Sequence, residues 1–405
     1  MVVSSGIKGL NMRTCELLFI PFLFLTGFGC TQAEEAEIDS SAIDVFIDFA
    51  SEYPNFFAQF NNTLDLDNVY GYNDQNWPNY ITEDNSNGQS ITNSGALLGR
   101  ILFYDQNLSS DNSVSCATCH QQAFAFSDPS IVSVGVNGVT GRHSMRLINA
   151  RFADEDNFFW DERAANLEAQ TTMPIRDHNE MGFSGEGGAP DFDDLLEKLS
   201  AINYYSELFD YAFGDSQITE VRIQSALAQF IRSIQSFDSP YDIGRTQVGS
   251  DNANFPNFTN DQNAGKSLFM LSRNQGGANC ATCHRPPEFD IRPNSLNNGV
   301  IGVFGSADTD LTVTRSPSLR DLVRPDGIEN GPFMHDGSLT SLNEVIDHYD
   351  TGITDNSNLD NRLQNNGSPQ NLNLTTTEKE QLVEFLKTLT GSQVYTEERW
   401  SDPFN

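Results

Sequence analysis

Hydrophobic and polar positions divide the chain into a leader, a polar stretch and a long helical region. Leu17 to Phe28 is an apolar run behind Lys8 and Arg13. It is shorter than the about 20 residues a membrane-crossing helix needs, and it reads as an export signal. Residues 31–90 are rich in Asp, Asn and Ser, which predicts a flexible acidic and polar lead-in, with short helices in its 38–60 stretch. Further on, Ile223, Leu227, Phe230, Ile231 and Ile234 share one face of a helix within 221–237. Ser341 with Glu344, and Thr377 with Glu380, have capping-box spacing and predict two more helix starts. The second leads into Leu382, Phe385, Leu386 and Leu389. Gly, Asn and Pro separate these segments into long loops, and no sustained alternation of strand type occurs. The pattern predicts a mainly α protein.

One signature occurs twice. Gly99-Arg100-Ile101-Leu102-Phe103 precedes Cys116-Ala117-Thr118-Cys119-His120, and Gly265-Lys266-Ser267-Leu268-Phe269 precedes Cys280-Ala281-Thr282-Cys283-His284. Copies this far apart imply two domains of one kind rather than a solenoid. CxxCH is the attachment site of c-type haem. Two thiols add to the porphyrin vinyl groups, and the adjacent imidazole supplies one axial nitrogen. Cys116, Cys119 and His120, and then Cys280, Cys283 and His284, therefore predict two covalent haems c. A thioredoxin-like dithiol needs no such histidine, and a zinc ribbon places its CxxC pairs about 15–20 residues apart. Disulfides between neighbouring cysteines remain open in an exported chain.

Charge narrows the partners. Asp and Glu number 56 against 23 Lys and Arg, a formal net charge of −33. That argues against nucleic acid and anionic lipid and favours basic partners. The six cysteines also divide clearly: four in the repeated motifs, Cys15 in the leader, and Cys30 after Gly29, where a lipoprotein signal would be cleaved. Cys30 as a lipid anchor is one reading; ordinary cleavage with Cys30 a bystander is the other.

LGRILFYDQNLSSDNSVSCATCHQQAFAFSD and GKSLFMLSRNQGGANCATCHRPPEF resemble the two haem motifs of the bacterial di-haem cytochrome c peroxidase family, which includes MauG-type proteins. TRSPSLRDL and GPFMHDGSLTSLNEVIDHY are similar to its later signatures, and the resemblance runs from Gly95 to Phe404. It implies two cytochrome c-like helical domains, each with one haem. The divisions expected are a signal over 1–30, the lead-in over 31–90, a peroxidatic domain over 91–245 and an electron-transfer domain over 246–405.

WDERAANLEAQTTMPIRDHNEMGF resembles the family's distal stretch and aligns Trp160, Gln170, Pro174 and Glu180 with it. The resemblance implies that Glu180 is the acid–base residue, Gln170 a distal hydrogen-bonder and Trp160 a relay between the haems. His178 is a weaker candidate proton donor. Reductively activated members carry a second histidine in the loop matching 132–143, where this chain has Gly135. His120 is therefore expected to be the first haem's only protein ligand, with His143 the runner-up for its other face. His143 also stands where the family has a calcium-binding Asn. A calcium ion would then rely on carbonyls near Asn330 and Pro332. The second haem's other ligand position holds Tyr349, as in MauG-type members, with Met334 or His348 as alternatives. Leu342, Val345, Ile346 and Tyr349 share one helical face. His335 is expected near the second haem.

The implied activity is a periplasmic peroxidase. It would reduce hydrogen peroxide at the first haem with electrons from a small basic cytochrome c or cupredoxin, delivered through the second. The alternatives are a MauG-like oxidase, using a high-valent di-haem state on a protein substrate, and a non-catalytic di-haem carrier. Oligomeric state is not legible in the pattern; a homodimer is compatible with it.

Overall fold

The computed structural model describes residues 48–154, 156–291 and 293–405. The leader, with Cys15 and Cys30, lies outside the described residues. The short helices expected in the 38–60 stretch are present, and burial continues beyond them to Tyr72 and Ile81, within the stretch expected to be flexible. Helices α1 (Phe49–Glu52) and α2 (Pro54–Phe60) bury Phe49, Phe56 and Phe60 in the first apolar core. The Phe56 amide donates to Glu207 Oε2 at 2.8 Å, and the Tyr72 hydroxyl donates to the Arg399 carbonyl at 2.7 Å. Composition misleads here because a few aromatic rings decide the outcome. Each fully buried ring contributes about 1.5–3 kcal/mol, enough to order the polar residues around it.

Six helices follow in the first half: α3 (Asn93–Tyr104), α4 (Cys116–Cys119), α5 (Leu167–Arg176), α6 (Phe192–Ser200), α7 (Asn203–Phe213) and α8 (Glu220–Ser233). The second half has α9 (Pro240–Thr246), α10 (Asn260–Met270), α11 (Leu342–Asp347) and α12 (Thr376–Lys387). The only ladders among the described residues are two-residue pairs, β1 (His284–Arg285) with β2 (Asp290–Ile291) and β3 (Gln364–Asn365) with β4 (Ser368–Pro369).

The repeated GxxLF segment has the same packing in each half. In α3, a Cβ on Gly99 would lie 1.9 Å from the Ala226 carbonyl oxygen of α8. In α10, a Cβ on Gly265 would lie 1.8 Å from the Gln381 carbonyl oxygen of α12. Each glycine therefore lets a partner helix approach backbone to backbone. Phe103 meets Phe230 and Phe269 meets Phe385, both pairs with centroids 5.2 Å apart. Two apolar cores result, both within one compact unit, Ile47–Asn405.

Two expectations shift. Helix α12 is capped by Thr375 and Glu378 rather than Thr377 and Glu380, with the Glu378 carboxylate 2.8 Å from both the Thr375 amide and hydroxyl. The end of the chain also leaves the half assigned to it. Val394 and Trp400 join the first core, Trp400 Nε1 donates to Ser233 Oγ at 3.2 Å, and Tyr104 Oη donates to the Trp400 carbonyl at 2.7 Å.

Candidate haem sites

Each CATCH pentapeptide begins in a tight turn and releases its histidine. Ser115 caps the first, its amide bonded to Thr118 Oγ1 at 3.0 Å, and Cys116–Cys119 forms one helical turn. The second coils as a 3₁₀ turn over Cys280–Thr282 before β1 begins at His284. His120 Nδ1 lies 3.2 Å from the Phe126 carbonyl, and His284 Nδ1 lies 3.2 Å from the Pro317 carbonyl. An Nδ1–H held by a carbonyl leaves Nε2 unprotonated, which is the form that binds iron. Burial favours that neutral form, lowering His120 and pushing His284 down to about 4. Burial also pushes the Cys116 and Cys280 thiols up to about 12 and Cys119 up to about 11. No disulfide joins the four motif cysteines.

The first motif lines a cavity of about 690 Å³ and the second a tighter one of about 160 Å³. Phe103, Leu227 and Ile231 contribute apolar wall to the first, and Leu342, Ile346, Leu382 and Leu386 to the second. Paired thiols, an oriented neutral imidazole and an apolar wall are the donor set a c-type haem requires, so both sites fit the group.

The two cavities share a wall. Trp160, His143, Arg146 and Arg315 each line both cavities. Trp160 is buried, its indole N–H donating to the His143 carbonyl at 2.7 Å and its own carbonyl accepting from the Arg315 amide at 2.7 Å. His143 Nδ1 is 3.0 Å from the Ser130 carbonyl.

Glu180, Gln170 and Pro174 line the first cavity together with His120. Gln170 and Pro174 come from one face of α5, whose N-terminus is capped by Asn166 Oδ1 on the Ala169 amide at 2.8 Å. Burial, with the Asp177 carboxylate nearby, pushes the Glu180 carboxyl up to about 7. The Glu180 backbone is pinned on both sides: its amide donates to Asp177 Oδ1 at 3.1 Å, and its carbonyl accepts from the Val136 amide at 2.9 Å. His178 is exposed, with Nδ1 3.2 Å from Ser184 Oγ, and it does not line the cavity.

Around the second cavity, α11 runs into a π-helical turn over His348–Gly352. This turn carries Tyr349 into the lining beside Leu342, Val345 and Ile346. Burial pushes the Tyr349 phenol up, so it stays protonated unless a cation faces it. His348 does not line the cavity; its Nε2 is 3.0 Å from the Asn298 carbonyl. Met334 does line it, its sulfur accepting from Asn298 Nδ2 at 3.6 Å. His335, expected near the second haem, lines the first cavity instead, its ring edge-on to Trp160 at 6.3 Å. The reason is local. Phe333 and Leu339 close a bridge, Met334 turns at φ 70°, and neighbouring side chains diverge to opposite cavities.

Residues 93–247 match the profile of the family described as di-haem cytochrome c peroxidase. The methylamine utilization protein MauG of Methylorubrum extorquens is 34% identical over 74% of this chain and 79% of its own. The chain belongs to the di-haem cytochrome c peroxidase and MauG family. Cytochrome c551 peroxidase of Nitrosomonas europaea is 28% identical over 74% of this chain and 80% of its own. The crystal structure of a MauG-like protein associated with microbial copper homeostasis aligns with a TM-score of 0.66 at 27% identity, over 82% of this chain and all of that one. This member of the family is accordingly an oxidoreductase with haem cofactors.

Calcium fares differently from haem. The carbonyl of Asn330 already accepts from Arg146 Nη2 at 3.1 Å, and Pro332 lines the second cavity. His143 offers ring nitrogens where calcium needs oxygen. Among the described residues no group of three or more His, Cys, Asp and Glu side chains could hold a metal. Asn330 Oδ1 is a buried oxygen at this place without a hydrogen-bond partner, but a cation, Arg146, already sits on the neighbouring Asn330 carbonyl, so the residues present fit a calcium ion poorly. Sequence reasoning overlooked Arg146 and Arg315, because nothing in their flanking residues marks them as cavity wall.

Proposed function

We propose that this chain is an exported, periplasmic di-haem peroxidase that reduces hydrogen peroxide in the first cavity with electrons entering through the second. The observation that carries this reading is Glu180, a carboxyl pushed up to about 7 that lines the same cavity as His120. A group balanced between its two forms near neutrality can take the proton from one peroxide oxygen and return it to the other as the bond between them breaks. Gln170 lines the same space and orients the peroxide by hydrogen bonding. Gly135 supports an open distal face, since no imidazole stands at that position, and His143, which does line the cavity, has its Nδ1 3.0 Å from the Ser130 carbonyl. Haem, when bound, supplies the redox chemistry that cleaves peroxide. The overall balance is one peroxide, two electrons and two protons to two waters. Trp160, lining both cavities, is suited to relay electrons between them. The excess acid suits a small basic cytochrome c or cupredoxin as donor. Cys30 remains a candidate lipid anchor.

A MauG-like oxidase is the second reading, favoured by Tyr349 in the second cavity and by the resemblance to MauG. Mixing the holoprotein with peroxide, with and without a reduced donor cytochrome, separates the two. Rapid donor oxidation supports the peroxidase. A long-lived spectral change without donor turnover supports the oxidase. No reaction in either case contradicts both and leaves an electron carrier.

A further inference from the structure

The wall shared by the two cavities contains two guanidinium groups, Arg146 and Arg315, and no carboxylate. Among the described residues neither takes part in an ion pair, although fourteen other Arg and Lys side chains do. Nε of each is buried without a hydrogen-bond partner. Arg146 gives Nη2 to the Asn330 carbonyl at 3.1 Å, and Arg315 gives Nη1 to the Asn157 carbonyl. Carbonyls satisfy a few N–H groups, the Phe158 ring lies 4.8 Å from the Arg315 guanidinium, and the buried Asp321 carboxylate, outside both cavities, offsets part of the Arg146 charge without pairing with it; a buried charge only partly offset is costly. An anion on the cavity side would complete the compensation. Each haem carries two carboxylates, and the cavities lie on either side of this wall.

Resting on the di-haem reading, we propose that Arg146 takes the place of a calcium ion between the haems: a built-in cation that holds the Asn330 carbonyl and, with Arg315, neutralises haem carboxylates. A guanidinium presents several N–H donors in a fixed plane and matches carboxylates in pairs. It also keeps its charge at any pH the protein meets. A bound ion could be lost to a chelator, whereas this cation is part of the chain.

The test uses the holoprotein. After gel filtration in calcium-free buffer, elemental analysis should find no stoichiometric calcium. Excess EGTA or added calcium should leave the optical spectrum and both midpoint potentials unchanged. One retained calcium per chain, with a spectrum or potential that shifts on its removal, would overturn the proposal. Arg146→Gln should lower both midpoint potentials, because losing a nearby positive charge favours oxidised iron, and Arg146→Lys should restore most of the shift. Unchanged potentials in Arg146→Gln would also overturn it. If that variant fails to accumulate, the wild-type calcium and EGTA measurements decide alone. Purified protein without haem would remove the di-haem reading and this inference with it.

Discussion

Gly135 lies so close to Glu180 that a Cβ on the glycine would stand 2.7 Å from the Glu180 Cα and 2.1 Å from the Asn179 carbonyl oxygen. The position where reductively activated relatives carry a histidine is thus the surface against which the distal carboxylate's backbone rests. Gly135→Ala should shift that backbone. Overpacking of this kind costs about 1–3 kcal/mol. The expected outcome is a lower denaturation midpoint together with a slower peroxide reaction, read by urea unfolding and stopped-flow absorbance.

Glu180→Gln should slow the peroxide reaction by about 10²–10⁴-fold, the usual contribution of a positioned acid–base group. In the wild type the carboxylate form must be present to accept the first proton, so the rate should rise with pH through about 7 and the variant should lose that limb. Stability has the opposite dependence. A carboxyl raised from 4.5 to about 7 binds its proton more tightly folded than unfolded, so its burial costs increasing stability as pH rises across that window. Glu180→Gln should flatten this dependence between the two values, which unfolding curves at several pH values would show.

Tyr349→Met should change the optical and EPR signature of the second haem and raise its potential, because thioether ligation favours reduced iron relative to phenolate. His348→Ala should leave the signature in place, since His348 lies outside the lining. An unchanged spectrum in Tyr349→Met would remove Tyr349 as a ligand.

The glycines of the repeated helices are structural. Gly99→Ala and Gly265→Ala each place a methyl within 2 Å of a facing carbonyl oxygen. Each should destabilise its own half by about 1–3 kcal/mol or more. Calorimetry on each variant measures this, with haem retention as a second readout.

The repeated motif is what the sequence shows most plainly. CxxCH is a local code, so two haem-type motifs, each behind a GxxLF helix, are legible without knowing how the chain folds. Tyr349 is picked out by the family resemblance, and the π-helical turn carries it into the lining beside Leu342 and Ile346. What escapes depends on packing between distant segments. Phe56, Phe60 and Tyr72 order a stretch whose average composition reads as flexible. Met334 and His335 are neighbours that face different cavities because of one turn. Thr375 and Thr377 have the same capping spacing, and only the packed helix selects between them. Arg146 looks like any basic residue until its guanidinium is seen on the Asn330 carbonyl.

On the peroxidase reading, net charge bears on the donor. With −33 on the chain, oxidation of a basic cytochrome should slow steeply as ionic strength rises past the point where the screening length is about 10 Å. Steady-state rates over a salt series check this; a flat series would mean that docking does not use the acidic surface.

The most direct test of the central claim is to mix the fully oxidised holoprotein with hydrogen peroxide in the absence of any reductant and follow the Soret band. A first cavity with Gly135 at the position of the relatives' second histidine, and with Glu180 at hand, predicts an immediate spectral change that is slowed in Glu180→Gln. A protein that stays silent until one electron has been added would contradict an open first site.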